Sequence, residues 1–208
     1  AVSLFQERFS GLGKPQNTGL LPFEKPDQVR RVVEEQPLSQ SKLSMGFRVD
    51  YTPEERYQFQ LMAMVLGGVP SSKLFQNVRE KMSLCYYCSS GLVGNSRSMF
   101  IESGVETSNL EKAEEAIYGQ LSALQKGELT EEELLSAKLA YCNSLRSIND
   151  SLPAMESAYL GQVFSGLVLP REESIARVMS CTKEQVVEAA NRLVPGAVFT
   201  LKGSGVHG

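Results

Sequence analysis

Apolar and polar residues alternate along residues 43–49, where Leu43, Met45, Phe47 and Val49 are separated by small or charged residues. This period of two predicts a β-strand with one buried face. A second strand is predicted at residues 30–35, whose charges suit the edge of a sheet. Further strands are predicted at 84–88, 98–105 and 198–201, and a turn at 91–95 would join the first two of these into a hairpin.

Capping boxes predict where four of the helices begin. In this motif a Ser or Thr is followed three residues later by Glu or Gln, and the two residues satisfy each other's backbone N–H groups. The chain has such pairs starting at Thr52, Ser108, Thr130 and Thr182. Further helices are predicted from Ser151 and after Pro170. The order of strands and helices predicts an α+β fold, a two-layer domain with helices on one face of a largely antiparallel sheet.

Residues 67–90, GGVPSSKLFQNVREKMSLCYYCSS, are predicted to form a hinge, a short helix and a strand. Gly67 and Gly68 are expected to end the preceding helix, because glycine reaches positive φ without steric cost. Ser71 is expected to cap the short helix that follows. A helix that carries Arg79 beside a strand that carries Tyr86 could aim two hydrogen-bond donors at one point.

The N-terminal segment has a different composition from the rest of the chain. Pro15, Pro22 and Pro26 are expected to interrupt regular structure, so residues 1–28 are predicted to be an extended arm or linker. Residues 29–208 are predicted to form a single domain, which is an ordinary length for one. Because the chain starts at Ala1, we expect a fragment whose N-terminal half is missing.

Composition excludes several classes of partner. The net charge of −3 gives no indication of nucleic acid binding. No apolar run approaches the roughly 20 residues that span a bilayer, so no membrane association is expected. The first residues lack the basic and apolar regions of a signal peptide, and we expect a cytoplasmic location.

The cysteines and the histidine offer little metal chemistry. Cys85 and Cys88 form a C-x-x-C pair, but residues three apart in a regular strand point to opposite faces. Since a second such pair or two histidines would be needed to complete a tetrahedral zinc site, free thiols and no metal are expected. The sole histidine, His207, stands at the C-terminus. By itself the chain is therefore predicted to be inactive as a zinc protease.

The run LFQNVREKMSLCYY resembles the signature of the second, non-catalytic domain of the pitrilysin/insulinase family of zinc metallopeptidases, which includes the mitochondrial processing peptidases. In that signature a helix-end arginine is followed by Leu, any residue and Tyr. These positions fall on Arg79, Leu84 and Tyr86, and the resemblance covers the chain from about residue 30. It implies a processing-peptidase-like two-layer architecture, in agreement with the predicted fold.

The resemblance also implies a function. The chain would be the C-terminal half of a zinc metalloendopeptidase, closing a peptide-binding chamber beside an N-terminal domain that carries the zinc. Arg79 and Tyr86 would donate hydrogen bonds to the peptide substrate or to the transition state, whereas Tyr87 would face the other side of the sheet. Two alternatives are a scaffold or peptide-binding module of an inactive homologue, and an unrelated α+β interaction domain.

Overall fold

The computed structural model describes residues 2–9, 23–93 and 96–204. Within them, one five-stranded sheet has the strand order β1-β5-β2-β4-β3. The strands are β1 Arg30–Gln36, β2 Ser41–Arg48, β3 Cys85–Val93, β4 Ser98–Val105 and β5 Val194–Gly203. β1 and β5 are parallel, and the other neighbouring pairs are antiparallel. The predicted α+β fold with a largely antiparallel sheet is confirmed, and residues 30–35 do form an edge strand.

The helices that follow β2 occur in the predicted order, and one further helix precedes β1. They are α1 Val2–Phe9, α2 Arg56–Ala63, α3 Leu110–Gln125, α4 Glu131–Ser147, α5 Leu152–Ser165, α6 Arg171–Ser180 and α7 Lys183–Asn191. The capping boxes at Thr52, Thr130 and Thr182 are present, since each residue's backbone N–H donates to the side chain three residues later. The box predicted at Ser108 is wrong. That residue lies inside a 3₁₀ turn, Thr107–Asn109, which is closed by a backbone bond of 2.9 Å from Asn109 to Glu106.

The core lies between the sheet and the helices. Leu43, Met45 and Phe47 on β2 are at most 2% exposed, as their alternation predicts. They pack in one cluster with residues from the helices, among them Phe59 of α2 and Ile117 of α3. The polar residues between them lie on the opposite, outer face of the sheet. Two layers thus result from the period of two in the strands and the apolar stripes of the helices.

Gly67 and Gly68 end the α2 segment for a different reason from the one predicted. Helix α2 continues as a short π-helical segment, Met64–Gly68, and neither glycine has a positive φ. Instead, a Cβ on Gly67 would lie 2.6 Å from the backbone nitrogen of Ser90 and 2.8 Å from Cδ1 of Leu74. Gly67 is therefore needed because β3 passes so close to the helix, and not because of its backbone conformation.

The short helix after the hinge is a π-helix, Leu74–Lys81, in which the backbone N–H of Met82 donates to the carbonyl of Asn77 over 3.0 Å. The cap predicted at Ser71 is wrong, because the helix begins three residues later. The hydroxyl of Ser71 instead lies 2.7 Å from that of Ser136 on α4 and tethers the hinge to the helical layer.

Two other predictions need correction. Helix α1 lies in the segment that was predicted to lack regular structure, because all the prolines of that segment follow residue 9 and cannot interrupt it. The predicted turn at 91–95 begins too early, since β3 continues to Val93 and pairs Leu92 with Met99. Gly94 and Asn95 lie outside the described residues, as do Pro15 and Pro22. The linker role of residues 1–28 stays a prediction.

Candidate functional site

A reversal of the chain after the π-helix positions the two predicted site residues. Ser83 adopts a left-handed backbone conformation with φ 52°, and the N–H of Leu84 donates to the carbonyl of Val78 over 3.1 Å. This turn lays the start of β3 beside the last turn of the helix. Arg79 and Tyr86 consequently line one groove.

The groove has a volume of about 460 Å³. Its walls come from the π-helix, the start of β3 and the segment that follows β4. Besides Arg79 and Tyr86, it is lined by Glu80, Ser83, Leu84, Cys85, Glu106 and Asn109. One basic, two acidic and one phenolic side chain thus line one surface, and these groups can pair with the N–H and C=O groups of a peptide.

Arg79 is held at the groove by stacking more than by charge. Its guanidinium lies 4.5 Å from the ring centre of Phe75, one turn earlier in the helix. Its Nε is 3.6 Å from a carboxylate oxygen of Glu80, and both side chains are partly exposed. An exposed pair at this distance contributes little to stability, so the guanidinium is available to bind a ligand.

Tyr86 is 45% exposed, and its hydroxyl donates a hydrogen bond to the Glu106 carboxylate. This bond, more than any other effect, raises the pKa of Tyr86 above its ordinary value. The phenol is therefore neutral and a donor at physiological pH. Sequence reasoning missed Glu106, since it follows β4 without any local motif that marks it.

A β-bulge separates the two adjacent tyrosines. Cys85 pairs with Val105 and Tyr87 pairs with Gly104, so Tyr86 is an extra residue without a partner on β4. The ring of Tyr87 lies across Gly104 on the outer face, where a Cβ on the glycine would approach its Cε1 to 2.4 Å. Bulges commonly re-aim a side chain at a functional surface, and here Tyr86 is the tyrosine that lines the groove.

The bulge also corrects the prediction that Cys85 and Cys88 point to opposite faces. Their partners on β4, Val105 and Ser103, both lie on the inner face, so the extra residue returns the two thiols to the same side of the strand. The neighbouring Cys88 thiol lowers the pKa of Cys85 to about 7, and the pKa of Cys88 is raised in turn. Both are free thiols in the structure.

The metal-binding side chains of the described residues do not fit a zinc site. Across residues 2–9, 23–93 and 96–204, no three His, Cys, Asp or Glu side chains come together as a metal site. Cys85 and Cys88 supply two sulfurs without a third ligand among the described side chains, and His207 lies outside the described residues.

No helix in the described part of the chain is long and apolar enough to cross a membrane.

Comparison with known proteins agrees with the geometry. The model of the peptidase M16 inactive domain matches residues 1–141. The chain belongs to this family. It is 29% identical over 179 residues to the probable inactive metalloprotease YmfF of Bacillus subtilis, covering 85% of this chain and 42% of that protein. The alternative of an unrelated α+β interaction domain is thereby excluded.

Solved structures share the fold. A conserved protein from Enterococcus faecalis superimposes with a TM-score of 0.84 and 29% identity, over 94% of this chain and 46% of that one. A peptidase M16 inactive domain from Pseudomonas fluorescens has a TM-score of 0.69 and 22% identity, over 88% and 47% of the two chains. This chain thus spans about half the length of the relatives it matches, and it is an inactive M16 domain of the zinc protease type.

Proposed function

We propose that this domain is the non-catalytic C-terminal half of a zinc metalloendopeptidase, and that it closes the peptide-binding chamber and binds substrate through the Arg79–Tyr86 groove. The observation that carries the proposal is the convergence of these two donors on one open groove. An N-terminal M16 half, in the same chain or in a partner subunit, is expected to hold the zinc. The cytoplasmic location expected from the sequence is part of the same proposal.

The groove residues suit the recognition of a peptide backbone. A carbonyl oxygen of the peptide can replace Glu106 as the acceptor of the Tyr86 hydroxyl, while the guanidinium of Arg79 donates from the facing helix. If that carbonyl is the one attacked, its oxygen gains negative charge in the transition state, and both hydrogen bonds become stronger. Interactions that strengthen in this way raise kcat more than they lower KM.

A scaffold role is the second candidate, and the similarity to a probable inactive metalloprotease favours it. In that case the partner half lacks a working zinc site. The groove would then bind a peptide segment without cleavage, with the same donors and a ground-state carbonyl as acceptor.

Steady-state kinetics on a fluorogenic peptide test the proposal in the complete protein, with both halves present. Replacing Tyr86 with Phe keeps the ring and removes one donor, and such a loss typically lowers kcat by about 10²–10³. Tyr87→Phe is the matched control, because Tyr87 is equally exposed but lies on the outer face. Equal kcat for wild type and Tyr86→Phe would exclude the donor role.

The same proteins distinguish the scaffold from the peptidase. A scaffold shows no cleavage in the wild type, but it binds the labelled peptide in fluorescence anisotropy, and Tyr86→Phe weakens that binding. A wild type that neither cleaves nor binds peptides would contradict both candidate functions.

A further inference from the structure

The two thiols of β3 are placed as a reactive pair. In a regular strand Cys85 and Cys88 would project from opposite faces and could not meet. The bulge at Tyr86 removes this obstacle, because the residues opposite the two cysteines are both on the inner face of β4. The hydroxyl of Ser103 donates to the carbonyl of Tyr87 over 2.9 Å and so holds the bulged segment between the cysteines.

The two thiols differ in their exposure to solvent, and this difference assigns each a separate role. Cys85 lines the groove and is half-buried, so a small solute can reach it. Cys88 is 4% exposed, and the strand register places the Cys85 thiol on its side of β3 as its reaction partner. An accessible thiol backed by a buried one is the arrangement of an attacking and a resolving cysteine.

We propose that Cys85 and Cys88 form a redox-active dithiol, which a low-molecular-weight disulfide such as oxidised glutathione closes to a disulfide across the β3 bulge. The bond would lie in the wall of the groove that carries Arg79 and Tyr86. The inference concerns the thiols alone and does not depend on the proposed peptidase role.

The reaction proceeds by two exchanges. The thiolate of Cys85 attacks one sulfur of the glutathione disulfide, which forms a mixed disulfide and expels one glutathione thiolate. The sulfur of Cys88, after losing its proton, then attacks the Cys85 sulfur and expels the second glutathione. Two protein thiols are oxidised to one disulfide, and one glutathione disulfide is reduced to two thiols.

The surroundings of Cys85 favour the first exchange. The neighbouring Cys88 thiol is the largest cause of its lowered pKa, the positive charge of Arg79 acts in the same direction, and burial opposes both. Glu80 and Glu106 also line the groove and oppose the effect of Arg79. Because the pKa of Cys85 is about 7, the rate of the first exchange should rise as the pH rises through neutrality.

Peptide mapping tests the proposal directly. The protein is incubated with oxidised glutathione, quenched in acid, alkylated and digested with trypsin. Cleavage after Lys81 and Arg97 leaves both thiols on one peptide, whereas Cys142 and Cys181 fall on two others. The expected product is the unalkylated peptide, about 2 Da lighter than the dithiol form, and dithiothreitol should restore the dithiol. Two alkylated thiols after incubation, or a lasting glutathione adduct on Cys85, would overturn the proposal.

Single replacements assign the roles. In Cys88→Ser the resolving thiol is absent, so glutathione should stay on Cys85 as a stable adduct. In Cys85→Ser neither an adduct nor a disulfide should form, because Cys88 is buried. This variant keeps the buried thiol of Cys88, so it still tests the proposal if Cys88→Ser does not fold. Cys142→Ser is the control, since it changes a buried cysteine on α4 and should close like wild type. Rapid modification of Cys88 in Cys85→Ser would contradict the assigned order.

Discussion

The hydroxyl of Tyr86 donates to the carboxylate of Glu106, which lies 20 residues further along the chain. This bond joins the bulge of β3 to the residue that follows β4, and both residues line the groove. The donor that we assign to substrate binding is therefore already occupied. Under the proposed function a peptide carbonyl would displace Glu106, and the carboxylate would keep the phenol neutral and oriented until then.

Removal of the Glu106 charge should lower the pKa of Tyr86. The carboxylate stabilises the protonated phenol by accepting its hydrogen bond, and it also opposes the phenolate by charge repulsion. Glu106→Gln removes the charge with little change in shape, so the tyrosine should ionise at lower pH. The titration is followed by NMR on protein with labelled tyrosines.

Glu102→Gln is the control for this titration. Glu102 lies on β4 itself, four residues before Glu106, and it acts on Tyr87, whose pKa is raised mainly by burial and only secondarily by this carboxylate. The replacement should leave the ionisation of Tyr86 unchanged. An unchanged pKa of Tyr86 in Glu106→Gln would show that the bond between them does not persist in solution.

Arg79→Lys should reduce peptide turnover, and by less than Tyr86→Phe does. Lysine keeps the positive charge but loses the planar group that stacks on Phe75 and that could donate two parallel hydrogen bonds to a ligand. Arg171→Lys is a closely matched control, because Arg171 is 40% exposed against 39% for Arg79, and each is followed by a glutamate partner. Similar kinetics for the two lysine variants would argue against substrate contact by Arg79.

Gly67→Ala should destabilise the fold, because the new methyl group would overlap the backbone nitrogen of Ser90. The backbone of β3 cannot move aside without disturbing the strand, and overpacking of this kind lowers the free energy of unfolding by about 1–3 kcal/mol. Gly119→Ala provides the opposite control, since a Cβ at this position in α3 would meet no atom within 4 Å beyond its own stretch of helix, and alanine there should stabilise by about 0.5–1 kcal/mol. Urea unfolding measures both, and a neutral Gly67→Ala would contradict the close approach.

The features of this fold that depend only on residues close together in the chain are predicted well from the sequence. The alternation through Leu43, Met45 and Phe47 predicted β2 and its buried face, because the period of two is a property of the strand itself. The cap at Thr130 was predictable for the same reason, since donor and acceptor lie three residues apart. The family signature then placed Arg79 and Tyr86 together, and the structure brings both to one groove.

Features that depend on distant partners were missed. The bulge at Tyr86 exists only in the register between β3 and β4, and the residues around it carry no local signal for an extra residue. The placement of Cys85 and Cys88 on the same side of β3 was missed as a consequence. Glu106 reaches Tyr86 only through the hairpin, so no spacing rule within one element could identify it.

An ion pair between the start of the α2 segment and the end of α7 should make stability depend on pH. Arg192 lies 2.7 Å from a carboxylate oxygen of Glu55, and its guanidinium also stacks 4.9 Å from the ring centre of Phe59. The hydrogen bond from Arg192 is the main reason that the pKa of Glu55 falls below its ordinary value of 4.5. A carboxyl group with a depressed folded pKa stabilises the fold above its unfolded pKa, and that contribution disappears as the pH falls through the folded value.

Glu55→Gln should therefore lower the free energy of unfolding near neutral pH, and its difference from wild type should shrink as the medium is acidified below about pH 4.5. Glutamine can still accept the backbone N–H of Thr52, so the capping contact is retained and the charge is the main change. Glu172→Gln is the control: the pKa of Glu172 is also lowered by an adjacent arginine, but its carboxylate is fully exposed, and such surface pairs stabilise little. Urea unfolding at a series of pH values measures all three proteins. Parallel pH profiles for wild type and Glu55→Gln would mean that the Arg192 contact does not distinguish the folded from the unfolded state.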